Sequence, residues 1–490
     1  MKKICMRAGM APTDLFDPAY ILWKNSIGNN VGNLLYAFGV NRTLSVEGTE
    51  VVPNYYKVEP SKAEEINEQY DAYIIPLADA FRPDFRGELK KMTELVKKLT
   101  IPVIVIGVGL RAPFEPGLEN KFPFDEEVRE FVKAILEKSA MVGVRGEITA
   151  QYLSNLGFRE GIDHTVIGCP SMYTYGPNLK IRDTKLTKDS MISINSSVLS
   201  PAHVHEFLHN TMEKIPNHYF LPQRIQELKM MYTGQPYTHK YSEFYPSRLT
   251  DKIYQENRVK YMLNVPTWLD FLKQADLSVG GRLHGNIAAT IAGTPCILIP
   301  HDARMRELTY YHNLTHIWAK DIKADTDIFE LFEKMDFHGV EKTHGKNFEH
   351  YLEFLDKNGL DHIYKNGANP EVAPLDKKVA EVDLLPPLDA ICCCSFEEMV
   401  ERWNRYYPEE EATQERRKSD LKALRAEVKQ LNKDNKKLEK NYSKLEQKCT
   451  KLQAERDELK EKERQRKAIE DAKLVNKVKR KVKSTLKKMN

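Results

Sequence analysis

Short apolar runs alternate with amphipathic segments through the first part of the chain. Uninterrupted apolar runs rich in valine and isoleucine are typical of buried strands, and apolar positions repeated every three or four residues are typical of helices. Strands that alternate with helices predict a parallel sheet covered by helices on both faces. The pattern predicts strands at 72–78, 101–110, 140–144 and 165–173, and helices at 88–99, 125–139 and 146–157.

A second alternation begins near Met191, after a polar stretch at 176–189 that marks a domain boundary. We therefore expect an α/β protein with two Rossmann-like domains, 1–180 and 190–345, that face a cleft in a GT-B-like arrangement. Ligands of such sheets bind beyond the carboxyl ends of the strands. A helical or irregular extension is expected at 346–407. The second domain has predicted strands at 191–196, 218–223, 276–281 and 295–301, and predicted helices at 205–215, 265–275 and 286–293.

A seven-residue repeat runs through residues 415–462. Because one apolar stripe cannot bury itself, the repeat predicts a coiled coil with a second copy of the chain, a homodimer. A polar Asn435 at an a position favours a parallel two-stranded pairing. A lone charged helix stabilised by i,i+4 pairs is the alternative. The d positions are Leu424, Leu431, Leu438, Leu445, Leu452 and Leu459, and the a positions are Leu421, Val428, Asn435, Tyr442, Cys449 and Arg456.

The segment 463–490 ends in a basic amphipathic pattern. Residues 473–490 contain eight lysines or arginines and no acid, and apolar residues recur at helical spacing. Such a helix fits an anionic lipid surface, a solvated tail or a nucleic acid. Of these we expect peripheral contact with an anionic membrane and no nucleic-acid partner. The apolar positions are Val475, Val478, Val482, Leu486 and Met489.

Charge divides the chain into two parts. Residues 408–490 contain 27 Lys and Arg against 16 Asp and Glu, a net charge of +11, and residues 1–407 contain 47 against 54, a net charge of −7.

No apolar stretch reaches the roughly 18 residues that a membrane span needs, and no apolar segment follows the two lysines near the start, so we expect no secretory signal. The seven cysteines lack zinc-site spacing. We expect a cytoplasmic protein with reduced thiols, peripheral at the cytoplasmic face of a membrane.

The stretch GGRLHGNIAATIAGTP at residues 280–295 combines charged and small residues. It places Arg282 and His284 where a strand gives way to a helix that Gly285 begins. Helix N-termini attract anions, arginine offers a planar fork to carboxylate or phosphate, and histidine exchanges protons near neutral pH. The stretch therefore predicts an anion site with an acid attached. The alternative assigns Arg282 to a structural ion pair and His284 to a helix cap.

Arg145 lies in the equivalent place in the first domain, between the strand and the helix of VGVRGEIT at 142–149. The carboxyl ends of the two sheets are expected to face one cleft. We therefore predict that Arg145 and Arg282 clamp one small dianion from opposite domains.

With these motifs, residues 25–320 resemble the polysaccharide pyruvyl transferase family. The resemblance implies a GT-B-like transferase that moves the pyruvyl group of phosphoenolpyruvate onto a sugar as a ketal. It implies that Arg145, Arg282, Leu283 and His284 hold phosphoenolpyruvate and that His284 is the catalytic acid. The motifs that carry the resemblance are GNNVGN at 28–33, VGVRGEIT at 142–149, VIGCPS at 166–171 and VGGRLHGNIAATIAGTPCILIPHDARMREL at 279–308.

Two motifs depart from the family pattern. Residues 30–33 read Asn-Val-Gly-Asn without the usual aspartate, and residues 168–170 read Gly-Cys-Pro where the family often has Gly-Asp-Pro. These departures bear on the acceptor more than on the donor. Membership of a diverse family does not by itself fix one reaction.

Further candidates follow from their places at strand and helix ends. Arg304 is an expected anion contact, with a surface ion pair as the alternative, and His301, Asp302 and Glu307 follow the same strand. Asn33 is a candidate sugar contact, with helix capping as the alternative. Asn195 and Ser196 end a strand. His203, His205 and His209 fit an exposed helix better than a metal pair, so we expect no metal and no cofactor.

The leading hypothesis is an enzyme of cell-surface polysaccharide biosynthesis that uses phosphoenolpyruvate as donor and a saccharide, such as a lipid-linked precursor, as acceptor. Two alternatives stay open. One is a GT-B glycosyltransferase that uses a nucleotide sugar. The other is a non-catalytic assembly protein built on the coiled coil.

Overall fold

The computed structural model describes residues 1–236 and 242–486. The chain divides into two compact units, Met1–Tyr407 and Pro408–Asn490. The predicted domains 1–180, 190–345 and 346–407 fall in the first unit, and their boundaries stay predictions. The predicted segments 415–462 and 463–490 fall in the second unit. Residues 487–490, with the predicted apolar position Met489, lie outside the described residues.

The first sheet is parallel and has the order β2-β1-β3-β4. Ile4 of β1 pairs with Val51 of β2 on one side and with Ala72 of β3 on the other. A further parallel pair, β5-β6, continues beside β4, where Gly107 N–H donates to Gly143 O. The strands are β1 (Lys2–Met6), β2 (Thr49–Pro53), β3 (Ala72–Pro76), β4 (Val103–Ile106), β5 (Val142–Val144) and β6 (His164–Val166).

The second sheet repeats this plan. Its order is β10-β9-β7-β8, and Ser193 of β7 pairs in parallel with Ser278 of β9 and Tyr219 of β8. In both sheets the order in which strands are added reverses, between β1 and β3 in the first sheet and between β7 and β9 in the second. Ligands of doubly wound sheets bind in the crevice at such a reversal. The strands are β7 (Ile192–Ile194), β8 (His218–Phe220), β9 (Leu277–Gly280) and β10 (Cys296–Leu298).

Helices cover both sheets, as the alternating pattern predicts. The helices of the first half are α1 (Pro18–Lys24), α2 (Gly32–Leu44), α3 (Ala63–Gln69), α4 (Arg86–Lys98), α5 (Asp125–Leu136), α6 (Glu147–Asn155), α7 (Ala202–Lys214) and α8 (Ile225–Thr233). Those of the second half are α9 (Lys252–Gln255), α10 (Val265–Leu272), α11 (Leu283–Ile291), α12 (Ala303–His312), α13 (Ile328–Glu333), α14 (Gly339–Lys357), α15 (Pro374–Ala380) and α16 (Phe396–Leu486).

The predicted strands and helices are confirmed at the level of elements, with two corrections. The strand predicted at 165–173 ends at Val166, and Pro170–Tyr173 form a 3₁₀ turn that begins with a proline. Helix α11 begins at Leu283, not at Gly285, because Arg282 is the extended residue before the first turn and its carbonyl accepts from Asn286 N–H.

Helices from the later part of the sequence return to the first sheet. On α14, Tyr351 stacks on Tyr173, and the side chain of Asn358 beyond its end accepts from Ala140 N–H. The start of α16 packs on the second domain, where Arg402 donates to the carbonyl oxygens of Met231 and Asp389. These contacts join residues 1–407 into one packed unit.

The second unit continues α16, and the leucines of the predicted d positions are 55–67% exposed. An apolar stripe on an exposed helix is what the coiled-coil prediction requires, and the pairing itself stays a prediction. Among the described residues, no helix is long and apolar enough to cross a membrane.

Candidate functional site

The loop after β9 brings Arg282 and His284 to the carboxyl edge of the second sheet. Gly280 adopts a φ of +151°, and a Cβ at this position would lie 2.6 Å from the carbonyl oxygen of Asn195. This close approach requires glycine. Arg282 N–H then donates to the carbonyl oxygen and the side chain of Asn195, both at 3.1 Å, which fixes where α11 begins.

His284 is the second residue of α11, and its ring is packed against the start of α2. A Cβ added to Gly32 would lie 2.7 Å from His284 Nδ1. The Nε2 atom is buried and has no hydrogen-bond partner among residues 1–236 and 242–486. Burial and then the charges of Arg145 and Arg304 hold the pKa of His284 well below its ordinary value, against the opposing charge of Asp79. The imidazole is therefore neutral near pH 7, and it does not cap the helix.

Arg145 is fully buried between β5 and α6. Its backbone N–H donates to Val108 O and its Nε to Gly107 O, both at 2.9 Å, and the guanidinium lies 4.9 Å from the ring centroid of Tyr36. Nη1 and Nη2 are buried without a hydrogen-bond partner in the part of the chain that the structure describes. A buried donor without a hydrogen bond destabilises the folded state, and a bound anion would remove that cost.

A second buried arginine shows what a structural role looks like. Arg42 of α2 is 1% exposed and donates from Nε and Nη2 to Asp376 at 2.8 and 2.7 Å. Its Nη1 donates to Thr174 O and to the side chain of Asn369. Each guanidinium nitrogen of Arg42 thus has a partner within the protein, whereas Nη1 and Nη2 of Arg145 have none among the described residues.

Arg304 lies at the start of α12 and faces the first sheet. Its Nη1 is 3.2 Å from Asp79 Oδ2, and its Nη2 is 3.2 Å from Asp302 Oδ2. Burial raises the pKa of Asp79, but Arg304 and three further arginines lower it more, to about 2. The ion pair named as the alternative for Arg304 is therefore present, although it is largely buried and not on the surface. Its Nε is buried with no partner within the described ranges.

The three buried guanidinium nitrogens Arg145 Nη1, Arg145 Nη2 and Arg304 Nε are called the open donors below. The charges of Arg145 and Arg304 both act on the imidazole of His284. The structure therefore brings these three predicted residues together at the carboxyl ends of the two sheets.

Arg282 and Leu283 are placed differently. Arg282 Nε donates to Ser196 O at 3.0 Å. Its Nη2 lies 3.8 Å from Oε1 of Glu227, a buried acid of α8, and like the open donors it has no hydrogen-bond partner among the described residues. The side chain of Leu283 is 4% exposed and belongs to the core. Its backbone N–H lies in the first turn of α11, where N–H groups lack intrahelical acceptors. The predicted clamp of Arg145 with Arg282 stays a prediction.

The softer candidates have mainly structural contacts. Asn33 Nδ2 donates to Ile27 O and Gly28 O at 3.0 Å, which holds the loop before α2. Asn195 bonds to the side chains of Ser278 and Asn286. The histidines of α7 contact separate groups: His203 reaches Ala319 O and His205 reaches Ser197 O. Among the described residues, no cluster of three metal-binding side chains occurs.

Three acids lie near the site, and only one of them, Glu307, is a candidate named from the sequence. Glu307 accepts from Thr149 N and Oγ1, both at 2.9 Å, and burial raises its pKa to about 7. Asp79 was missed, although it follows a predicted strand just as Arg145 does. Glu227 was also missed, because it lies in a helix that the pattern did not predict.

A cleft of about 550 Å³ opens beside the site, with Arg111, Leu199, His301 and Asp302 among its lining residues. Asp302 bonds both to Arg304 and to the N–H of Met305. The cleft therefore reaches Asp302, a partner of Arg304, whereas Arg145, His284 and Arg304 are not among its lining residues. This arrangement can bind a compact polyanion at the open donors and a larger polar molecule in the cleft.

A sequence model described as polysaccharide pyruvyl transferase matches residues 30–303. No curated protein matches the chain.

Solved structures of low sequence identity also match the chain. UDP-GlcNAc 2-epimerase from Neisseria meningitidis, bound to UDP-GlcNAc, is 11% identical with a TM-score of 0.40, and the match covers 73% of this chain and 100% of that chain. MnaA from S. aureus with UDP is 12% identical with a TM-score of 0.38, covering 76% and 99%. MurG from Acinetobacter baumannii is 12% identical with a TM-score of 0.32, covering 73% and 99%.

The family match spans more than half of the 490 residues and includes Arg145, Arg282 and His284. The chain therefore belongs to the polysaccharide pyruvyl transferase family.

Proposed function

We propose that this protein transfers the pyruvyl group of phosphoenolpyruvate to a saccharide and forms a cyclic ketal. The observation that carries the proposal is the set of open donors, two of which belong to a fully buried arginine beside a neutral, buried imidazole. A buried cationic donor without a partner destabilises the folded state, and a bound anion offsets this cost by accepting a charge-assisted hydrogen bond. Membership of the polysaccharide pyruvyl transferase family supports phosphoenolpyruvate as that anion.

The donor substrate matches the charges of the site. Phosphoenolpyruvate carries a phosphate and a carboxylate, and arginine forks bind both groups well. Arg145 is assigned to one of these groups, and Arg304 Nε to the edge of the same anion. Arg282 faces the neighbouring loop and would complete the binding site from the second domain. Leu283 would contribute its backbone N–H at the helix start.

The chemistry needs a proton donor. Protonation of C3 of phosphoenolpyruvate by His284 turns the methylene into a methyl group and makes C2 electrophilic. A sugar hydroxyl adds to C2 and loses its proton, and the C2–O bond to phosphate then breaks. A second hydroxyl adds to C2 with loss of its proton and closes the ketal, so inorganic phosphate is the second product. Arg145 and Arg304 would stabilise the charge on the leaving phosphate.

Donor binding would also charge the acid. His284 is held neutral by burial and by the two arginines. A negative charge beside the ring favours the protonated imidazole and therefore raises the pKa of His284. We expect the imidazole to take up a proton when the anion binds.

The acceptor is proposed to be a saccharide of cell-surface polysaccharide biosynthesis, presented to the cleft near His301 and Asp302. A lipid-linked saccharide would place this reaction at a membrane, and the basic segment 463–490 is proposed to contact anionic lipid there. No cofactor takes part in the proposed reaction.

Calorimetric titration with phosphoenolpyruvate, in two buffers of different ionisation enthalpy, tests the proposal. We expect saturable binding with an uptake of about one proton, and loss of that uptake in His284→Gln with binding retained. Turnover, measured as phosphate release with a panel of saccharides, should fall by at least about 100-fold in the same variant. His350→Gln on α14 is the matched control. Binding of a nucleotide sugar in place of phosphoenolpyruvate would instead support a glycosyltransferase and overturn the proposal.

A further inference from the structure

The second unit exposes a continuous apolar stripe. Its leucines recur every seven residues from 424 to 459 and are 55–67% exposed, and Leu421 and Val428 on the same face are 49% and 55% exposed. Burial of each such side chain away from water stabilises the helix that carries it. A single helix cannot bury this stripe, so the stripe favours a partner helix with the same seven-residue repeat.

Charges beside the stripe favour a second copy of this chain as the partner, because attractive pairs outnumber repulsive ones. In a parallel, in-register pair, each g residue faces the e residue five positions later on the other helix. Asp420 then faces Arg425, and Glu455 faces Lys460, so both ends of the seam carry opposite charges. Asp434 and Glu439 form one repulsive pair in the middle.

The a positions fix the direction of the pairing. In a parallel pair each a residue faces its own counterpart, so the two copies of Asn435 can hydrogen-bond to each other. In an antiparallel pair each a residue faces a d residue, and Asn435 would lie against leucine. Cys449 also occupies an a position, and its thiol is exposed.

We propose that residues 421–459 pair with the same residues of a second copy as a parallel, in-register coiled coil, with the two copies of Cys449 facing each other across the seam. The proposal does not depend on the pyruvyl transfer reaction, because all of its residues lie outside the first unit.

The first experiment measures the mass of the full-length protein by light scattering. We expect about twice 56.7 kDa. Leu438→Lys combined with Leu445→Lys should convert the dimer to a monomer, since each lysine would place a charge in the seam. Ser443→Lys adds the same charge on the outward b position and should leave the dimer intact. Circular dichroism checks that the helix persists in each variant.

The second experiment treats the dimer with dibromobimane, which bridges thiols only when they are in contact. We expect a cross-linked dimer from the wild type and none from Cys449→Ser. Placing cysteine on the outward face, as Ala454→Cys in the Cys449→Ser background, should give no cross-link.

Three outcomes would overturn the proposal. A monomeric wild type would exclude the pairing. A dimer that survives both lysine substitutions would place the contact elsewhere. A dimer whose Cys449 does not cross-link would indicate an antiparallel or shifted register. Retention of phosphoenolpyruvate turnover in the monomeric variant would leave the proposed function unaffected.

Discussion

Replacing Arg145 with methionine separates a ligand-binding role from a structural one. Methionine fills much of the same volume and removes the charge. The loss comprises the charged hydrogen bond to Gly107 O, about 1.5–3 kcal/mol, and the contact with the ring of Tyr36, about 2 kcal/mol when desolvated. The substitution also removes two buried nitrogens that have no partner in the described chain, and this stabilises the folded state by about 1–3 kcal/mol for each nitrogen.

These opposing contributions are of equal size. We therefore expect Arg145→Met to change the free energy of unfolding by less than about 2 kcal/mol without ligand. Breaking a buried ion pair from one side ordinarily costs about 3–5 kcal/mol. Arg42→Met, which removes a fully bonded buried arginine and leaves Asp376 without its partner, should approach that larger cost.

Ligand changes the comparison. A ligand at 100 times its dissociation constant stabilises the folded state by about 2.7 kcal/mol. Denaturant unfolding with and without phosphoenolpyruvate should show this stabilisation in the wild type and none in Arg145→Met, while a ligand-induced increment should survive in Arg42→Met. A loss of more than about 4 kcal/mol in ligand-free Arg145→Met would refute the reasoning, and so would a ligand effect that persists in that variant.

Three further predictions concern the acid, its neighbours and the tail. Gly32→Ala places a Cβ 2.7 Å from His284 Nδ1 and should lower turnover by about 100-fold through displacement of the ring, whereas Gly87→Ala, where a Cβ meets no atom within 4 Å, should not. The folded-state pKa of Glu307 is raised from 4.5 to about 7, so the unfolded chain loses that proton at lower pH than the folded chain. The free energy of unfolding of the wild type should therefore fall by about 3 kcal/mol as the pH rises from 4.5 to 7. Urea unfolding should show that Glu307→Gln lacks this fall. Deletion of 463–490 should abolish co-sedimentation with phosphatidylserine vesicles; wild-type binding to these vesicles should weaken as salt rises, and binding that is unchanged by the deletion would count against a lipid-contacting tail.

Alternation of strands and helices was enough to predict the architecture because buried parallel strands are uninterrupted apolar runs. The pattern does not predict strands β1 and β2, because β1 begins with two lysines and the side chains of β2 are mostly only partly buried. The rule that places ligands at the carboxyl ends of strands found Arg145 and His284, and the same rule applied to β3 would have found Asp79.

Other features depend on contacts that spacing does not encode. The start of α11 is set by Asn195, which lies 87 residues before Arg282. One partner of Arg304 is Asp79, which follows a strand of the other sheet. The protonation state of His284 follows from burial between α2 and α11, which no local pattern reveals. Sequence reasoning therefore identified the residue types of the site, and tertiary packing determines their charges.

Helix α12 follows a strand of the second sheet, yet its side chains bond to the first. Glu307 accepts from Thr149, Tyr311 donates to Val166 O, and His312 accepts from Cys169 N–H. Gene recombination that exchanged one half of the body for that of a relative would leave Glu307 and His312 buried against unmatched surfaces. We therefore expect the two halves to be inherited together, and new specificities of the cleft to arise by substitutions around it and not by exchange of domains.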